Sequence, residues 1–187
     1  MSNSYYSEEE LKQIGFKKIG DNIKISRKTS IYSPESIEMG SNIRIDDFCI
    51  LSGSIKLGSY IHIASHVALY GRLIIEMSDY TSISGRTLVY STTDDYSGEF
   101  MTNPTIPSLY RNVIGGKVLF KKHVIIGAGC IVLPNVVVNE GAAIGAMSLV
   151  NKDIEAWSIS AGIPCKKIKN RKRNILELEK ALQENNQ

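Results

Sequence analysis

A large aliphatic side chain returns at every sixth position between residues 123 and 150. Ile126, Val132, Val138, Ile144 and Val150 mark this repeat. An amphipathic helix repeats its apolar positions about every 3.6 residues, and a half-buried strand about every 2. The period of six therefore predicts neither element alone.

The same period runs through most of the chain. It shifts by two residues twice, is lost in the polar segment after Val89 and resumes at Phe120. A β-branched, small or aliphatic residue usually lies two positions before each marked one. The marked positions are Ile19, Ile25, Ile31, Met39, Ile45, Leu51, Leu57, Ile63, Leu69, Ile75, Ile83, Val89, Phe120, Ile126, Val132, Val138, Ile144 and Val150.

Two inward-facing residues two positions apart describe a short strand, because alternate side chains of a strand face the same side. The other four residues of each repeat must turn the chain. Residues that tolerate tight turns often follow the marked aliphatic, as at Gly58, Gly127 and Gly145. One such strand cannot bury its apolar face alone, so successive units must stack. The pattern predicts a parallel β-solenoid in a single all-β domain.

This repeat resembles that of the hexapeptide-repeat acyltransferases, in which a small or acidic residue follows the aliphatic one and a small residue lies four positions after it. The resemblance covers about residues 17 to 155. It implies a left-handed parallel β-helix with three repeats in each coil, and hence about six coils. Within the single domain 1–187, we expect a helical cap at 1–16 and a cofactor-side segment with a helix at 156–187.

Both ends of the chain carry helix signals. Ser7 and Glu10 form a capping-box pattern and Gly15 is a stop signal, which predicts a short helix at residues 7–14. Residues 174–183 place Ile175, Leu178 and Leu182 on one helical face. We expect this second helix to pack on a neighbour.

Composition narrows the functional classes. The chain has 187 residues, of which 43% are hydrophobic and 22% charged, as in an ordinary globular domain. It has no apolar run long enough to span a bilayer and no secretory signal pattern, so we expect a cytoplasmic protein. The net charge of +3 is too small to indicate nucleic-acid binding. Of the three cysteines, Cys49 and Cys130 fall on inward positions and are interpreted as core residues.

Two features carry candidate chemistry. His62 is predicted to face outward from the middle of a strand, whereas His66 lies at a corner; an exposed imidazole is a natural general base at neutral pH. The second feature is the segment at residues 92–112, which interrupts the repeat. A connection of this length is usually functional or disordered. Its prolines and aromatic residues favour an ordered loop that reaches another subunit.

Within the superfamily, the chain is most similar to the sugar acetyltransferases, which include galactoside O-acetyltransferases and the N-acetyltransferases of O-antigen pathways. In the galactoside branch the loop supplies a catalytic histidine, but here Asp94 stands at that place. We therefore expect His66 to supply the base and Asp94 to orient it or bind substrate, with His62 as the rival base. Candidate substrate-binding residues are Asp95, Tyr96, Tyr70 and Arg86.

The resemblance also implies acetyl-CoA as donor, bound in a groove between subunits of a homotrimer, and no metal. The ending AGIPCKKIK is similar to the family's Ala-Gly-x-Pro-Ala-Lys ending, with Cys165 in place of alanine. His123 is interpreted as structural or close to the cofactor. Candidate cofactor-binding residues are Gly127, Ala128, Gly145, Ala146, Ala161, Gly162, Lys166 and Lys167.

The predicted function is therefore acetyl transfer from acetyl-CoA to an amine or hydroxyl of a sugar, with a nucleotide-linked sugar for O-antigen or other surface polysaccharide as acceptor. Two alternatives remain at this stage. One is a non-catalytic solenoid that serves as a binding scaffold. The other is a zinc enzyme of the carbonic anhydrase type, whose histidine spacing this chain does not match.

Overall fold

The structure is a computed structural model that describes residues 4–185, and its chain winds into a parallel β-solenoid of about seven coils. The first helix is α1 (Glu8–Ile14) and the second is α2 (Ile175–Glu184). The first strands are β1 (Ile23–Ile25), β2 (Ser30–Tyr32), β3 (Ile37–Met39), β4 (Ile43–Ile45), β5 (Ile50–Leu57), β6 (Ile61–Ile63), β7 (Ala68–Met77), β8 (Ser82–Ile83) and β9 (Leu88–Tyr90). The others are β10 (Thr92–Asp94), β11 (Val113–Gly115), β12 (Val118–Phe120), β13 (Ile125–Ile126), β14 (Ile131–Val132), β15 (Val136–Val138), β16 (Ala143–Ile144), β17 (Leu149–Val150), β18 (Ser158–Ala161) and β19 (Lys166–Asn170).

Three walls enclose the interior. The first wall stacks β1, β4, β6, β8, β13, β16 and β18 in parallel. The second stacks β2, the first part of β5, the first part of β7, β9, β14 and β17. The third stacks β3, the second parts of β5 and β7, β12 and β15. The stack thus continues to β18, past the predicted end at residue 155, which adds a coil to the expected six.

The inward positions form one continuous core. In β4, β6 and β15 the first and third residues are buried and the middle one faces outward. Burying each such valine or isoleucine contributes about 1.5–3 kcal/mol relative to leaving it exposed. Cys49 and Cys130 are fully buried at inward positions, which confirms their interpretation as core residues.

One part of the predicted register is wrong. The sequence pattern places Leu73 and Ile75 inward, but the structure buries Ile75 and Met77 and leaves Leu73 48% exposed. The shift of two residues therefore comes before Ile75 rather than after it. The run Leu73-Ile74-Ile75 is apolar throughout, so its pattern alone does not decide which residues face the core.

Both helices lie where the sequence predicts them. Ser7 caps α1 with the full capping box to Glu10, and Gly15 ends it in the left-handed conformation. In α2 no residue is buried, and its attachment is polar: Glu179 accepts from His123 Nε2 at 2.7 Å and pairs with Lys122. Among residues 4–185 no helix is long and apolar enough to cross a membrane.

The segment that interrupts the repeat leaves the coil as a hairpin. Its stem pairs β10 with β11 in antiparallel fashion, and residues 95–112 form the tip. The tip exposes large apolar side chains in the single chain, including Leu109 at 82%. The extruded loop expected at residues 92–112 is therefore ordered, with its apolar surface uncovered.

The register correction predicts unequal effects for two neighbouring substitutions. Ile75→Ala removes fully buried methyl groups and is expected to lower the free energy of unfolding by about 2–5 kcal/mol. The matched control Leu73→Ala is expected to change it by no more than about 0.5 kcal/mol, because half of its side chain is already in solvent. Urea unfolding followed by circular dichroism measures both; comparable losses from the two substitutions would contradict the assigned register, because the alternative register buries both side chains.

Candidate active site

The first and second walls meet at a corner that we call the groove corner. A two-residue turn occurs at this corner in five successive coils. The second residue of each turn has positive φ: Phe48, His66, Arg86, Gly129 and Met147. Hydrogen bonds between consecutive turns align them, as when the N–H of His66 donates to the carbonyl of Asp47 at 3.0 Å. Side chains distant in sequence therefore stand in columns about 4.8 Å apart.

Small residues dominate two adjacent columns beside this corner. The first column follows the inward residue of each first-wall strand, and the N–H of each member from Asp46 to Gly145 donates to the carbonyl of the inward residue in the next coil. The second column contains the residue that follows each of these. The first column is Asp46, Ala64, Ser84, Gly127, Gly145 and Ala161, and the second is Asp47, Ser65, Gly85, Ala128, Ala146 and Gly162.

These two columns form the floor of a groove, because their small side chains leave the backbone accessible. A Cβ at Gly145 would lie 2.8 Å from the Cβ of Ala161, and one at Gly127 would lie 2.5 Å from the backbone nitrogen of Ala146. The structure therefore brings six predicted cofactor residues together in one strip. At its C-terminal end, β19 places Lys166 beside Ala161 and Lys167 beside Ser160. Lys167 is paired with Glu155 at 2.6 Å.

A third column runs along the outer face of the first wall. Each of its members lies two positions earlier in the sequence than the member of the first small-residue column in the same coil. Since side chains two apart in a strand face the same side, both columns line one surface. From the C-terminal end this third column reads Ile159, Ala143, Ile125, Ser82, His62 and Arg44. The strip changes from apolar to polar at the coil that carries Ser82 and Ser84.

His62 lies on this strip and is paired with a carboxylate. Its Nε2 is 2.8 Å from Asp46 Oδ2, and Arg44 Nε is 2.7 Å from Asp46 Oδ1. Burial acts to raise the pKa of Asp46, but the hydrogen bonds from His62 and Arg44 outweigh it and the pKa falls below its ordinary value. Asp46 is therefore ionised at neutral pH and favours the tautomer of His62 that carries its proton on Nε2.

His66 lies one coil further from the C-terminus than Arg86, at the corner itself. Its ring packs on Phe48 with centroids 4.9 Å apart. The two residues line a cleft of about 490 Å³, together with Tyr5, Arg44, Asp46, Asp47 and Ser65. Both placements predicted for the histidines, mid-strand for His62 and corner for His66, are confirmed.

Asp94 and Asp95 differ in how they are held. Asp94 Oδ2 accepts the N–H of Asn103 at 3.2 Å, and Oδ1 has no hydrogen-bond partner among residues 4–185. Asp95 accepts from Ser97 and Asn112, which lowers its pKa. Asp95 therefore fastens the hairpin, whereas Asp94 keeps one carboxylate oxygen without a hydrogen bond to the described residues.

The hairpin stands away from the groove of its own chain. Strand β9, about 10 Å long, separates the groove corner from the hairpin stem. Within the described chain no hydrogen bond joins His66 to Asp94. Tyr70 stacks on Tyr90 at 5.1 Å at the base of the hairpin, whereas Tyr96 is exposed at its tip and Arg86 is exposed at the groove corner.

The three histidines lie in separate environments. His123 is buried, stacks on Tyr80 at 5.2 Å and binds Glu179, which supports its structural interpretation. Across residues 4–185 no group of three or more His, Cys, Asp or Glu side chains is placed to hold a metal ion.

Ser84 is a candidate residue that the sequence reasoning missed. It follows Ile83 in the same column as Gly127 and Gly145, at the coil where the strip becomes polar. Its position in the repeat was the available signal, but serine is common in tight turns, and only the stacking singles it out.

Individual relatives, rather than a family model, show which family this chain belongs to. No family model matches the chain. It is 49% identical over 179 residues to the dTDP-4-amino-4,6-dideoxy-D-glucose acyltransferase of Escherichia coli, covering 94% of this chain and 93% of that protein. It is 28% identical over 161 residues to the putative lipopolysaccharide biosynthesis O-acetyl transferase WbbJ of E. coli K12, covering 81% and 78%.

Among solved structures, the chain matches AntD, an N-acyltransferase from Bacillus cereus. The S84A mutant of AntD, bound to dTDP-4-amino-4,6-dideoxyglucose and coenzyme A, has a TM-score of 0.96 and 55% identity over 98% of this chain and 99% of that chain. AntD was also solved with dTDP and 3-hydroxybutyryl-CoA, and as D94A and D94N mutants. The chain belongs to the hexapeptide-repeat acyltransferases, in the branch that acts on sugars, as the resemblance implies.

Cysteine chemistry is not expected to contribute to this site. Burial raises the pKa of the Cys49 thiol to about 11, and it also raises the pKa of Cys130. In a Cys165→Ser variant, these two thiols are expected to resist iodoacetamide at pH 8 and to react fully in 8 M urea, because the thiolate is the reactive form. Intact-mass spectrometry measures the labelling; complete labelling of the folded variant would contradict the buried placement.

Proposed function

We propose that this enzyme transfers a short acyl group from acyl-CoA to the amine of a dTDP-linked 4-amino-4,6-dideoxy sugar. The observation that carries the proposal is the continuous strip of small residues that leads from the lysines of β19 to Ser84. The 49%-identical relative and AntD support this acceptor and donor. The match to WbbJ supports a product destined for a surface polysaccharide.

The strip fits an extended thioester donor. A pantetheine arm has amide groups that bind exposed backbone, and close approach to backbone requires small neighbours such as Gly127 and Gly145. Lys166 at the C-terminal end of the strip is a cation for the phosphates of CoA, while Lys167 is partly neutralised by Glu155. In this orientation the thioester reaches the coil of Ser84 and Gly85.

The chemistry needs a proton acceptor and a site for developing negative charge. The amine nitrogen forms a bond to the thioester carbonyl carbon, the C–S bond breaks, and CoA leaves as a thiolate that takes up a proton. The N–H of Gly85 donates to no other group among residues 4–185 and is suited to the oxyanion. Ser84 adds a hydroxyl beside it.

Asp94 is the proposed acceptor of the amine proton. One of its oxygens is available. AntD was solved with replacements of its Ser84 and Asp94, and this chain has the same residue types at the same numbers, which supports placing both residues at the site. His66 as base with Asp94 as its orienting partner stays a prediction. His62 is the weaker candidate, because Asp46 already holds its Nε2.

The separation of Asp94 from its own groove points to a site shared between chains. We propose a homotrimer in which the hairpin of one chain reaches the groove corner of the next. Its support is the exposed apolar surface of both parts: Leu109 on the hairpin, and Ile125, Ile131 and Met147 beside the groove. We place the enzyme in the cytoplasm, whose reducing conditions suit three free cysteines.

Activity measurements test the reaction and its base. The wild-type enzyme is expected to release CoA thiol only when dTDP-4-amino-4,6-dideoxyglucose and acyl-CoA are both present, with the amide product identified by mass spectrometry. Asp94→Asn is expected to lower kcat about 10²- to 10⁴-fold, the range for loss of a general base. Glu99→Gln, the same change at an exposed carboxylate of the hairpin, is the matched control and is expected to leave kcat unaltered. A larger loss with His66→Ala than with Asp94→Asn would assign the base to His66.

A shared site predicts complementation between two inactive variants. Asp94→Asn damages the hairpin side and Gly85→Val, whose side chain meets Ser65 O at the corner, damages the groove side. Mixed oligomers refolded from both variants are expected to regain a fraction of wild-type activity, because some sites then combine an intact hairpin with an intact groove. Activity no higher than that of either variant alone would place both residues in a site within one chain.

A further inference from the structure

The groove continues beyond the point where the thioester is placed. One coil further from the C-terminus than Ser84 and Gly85 stand Ala64 and Ser65, which are also small. At the next coil the small residues of both columns are replaced by two larger, acidic residues, Asp46 and Asp47. The pair of Asp46 with His62 therefore closes a short, open-sided extension of the groove whose floor is Ala64.

The length of this extension suits a short acyl chain. Each coil advances by about 4.8 Å along the stack, so roughly 5 Å lies between Ser84 and Ala64 and a similar step leads to Asp46. A four-carbon acyl chain, with C–C bonds of about 1.5 Å, extends about 5 Å beyond the sulfur. Acetyl leaves the extension unfilled, and a much longer chain meets the charged end.

The end of the extension is polar and has one free hydrogen-bond acceptor. In the neutral tautomer that donates its Nε2 proton to Asp46, the Nδ1 atom of His62 is left as an acceptor, and Nδ1 has no hydrogen-bond partner among the described residues. An acyl hydroxyl near the end of a four-carbon chain is a suitable donor to it. A purely aliphatic chain would leave this acceptor without a hydrogen bond if it excluded water.

Charge argues against the diphosphate of the acceptor in the same place. The cleft at the groove corner, next to Ala64 in the coil, is lined by Asp46, Asp47 and Arg44. Arg44 pairs with Asp46 at 2.7 Å, and Asp47 pairs with Lys28 at 3.0 Å. Arg44 is the only lysine or arginine of residues 4–185 that lines this cleft. A dianionic diphosphate would therefore find no unpaired cation in the lining of this cleft, whereas an uncharged acyl chain needs none.

We propose that Ala64 and the Asp46–His62 pair form the acyl subsite of this enzyme, and that they select a 3-hydroxyacyl group of about four carbons over acetyl. The proposal rests on the proposed function and deepens it, since it names the donor class. AntD, solved with 3-hydroxybutyryl-CoA, provides independent support for such a donor in the family.

Donor competition tests the proposal. The enzyme is assayed with dTDP-4-amino-4,6-dideoxyglucose and each of acetyl-CoA, butyryl-CoA and 3-hydroxybutyryl-CoA. We expect kcat/KM for 3-hydroxybutyryl-CoA to exceed that for acetyl-CoA. Ala64→Val is expected to lower the ratio of these two values at least 10-fold, while Ala156→Val, the same change at an exposed turn away from the groove, leaves it unaltered.

His62→Ala separates recognition of the hydroxyl from a catalytic role. It is expected to lower the preference for 3-hydroxybutyryl-CoA over butyryl-CoA about 3- to 10-fold, as loss of one hydrogen bond does. Loss of a catalytic base would lower kcat/KM by a similar factor for all three donors and leave that ratio constant. An unchanged ratio in both His62→Ala and Ala64→Val would overturn the proposal, and so would a raised KM for the sugar nucleotide with no change of donor preference.

A binding measurement keeps this test independent of turnover. By calorimetry, 3-hydroxybutyryl-CoA is expected to bind the wild type more tightly than acetyl-CoA, and Ala64→Val is expected to abolish the difference. If no acyl-CoA reacts with the sugar nucleotide but this pattern of affinities holds, the proposed acceptor is wrong and the acyl subsite stands. Equal affinities in the wild type would refute the subsite while leaving the reaction intact. Melting curves confirm that each variant is folded.

Discussion

The constraint on which this structure depends is that a short strand must bury two aliphatic side chains against the coils above and below it. No coil has a core of its own, so each is stable only as part of the stack. Parallel backbone hydrogen bonds then fix the spacing between coils. The fully buried Ile45, Ile63 and Ile83 illustrate this, because each faces the interior directly beneath the next.

The same constraint builds the candidate active site. Ser84 and Gly127 are 43 residues apart in sequence, yet they are neighbours in one column because Ile83 and Ile126 are register partners. Such a site needs no flexible loop to assemble its floor, because its groups are held by the hydrogen-bonded coils. The hairpin of Asp94 is the exception, since it projects from the stack and requires a second chain to complete its surroundings in our proposal.

The sequence predicts the coil well and the site only in part. The solenoid follows from the period of six, because few other arrangements bury two residues in every six. The strip of Gly127 and Gly145 was reached through the resemblance to a family. The pairing of His62 with Asp46 was missed, since Asp46 reads as one more corner residue until stacking sets it beside the next coil. The inward placement of Leu73 was wrong for a similar reason: the local apolar pattern does not determine the register where three apolar residues are consecutive.

The left-handed backbone at the groove corner has a consequence for how the protein tolerates change. Gly129 meets that geometry without strain, but Phe48, His66 and Arg86 adopt φ of 61°, 62° and 62° with full side chains. A non-glycine residue in this conformation costs about 1 kcal/mol. Glycine at these three places would relax the backbone but remove the aromatic ring, the imidazole and the guanidinium. At these three places the chain can therefore have either a relaxed backbone or a side chain at the groove corner, but not both.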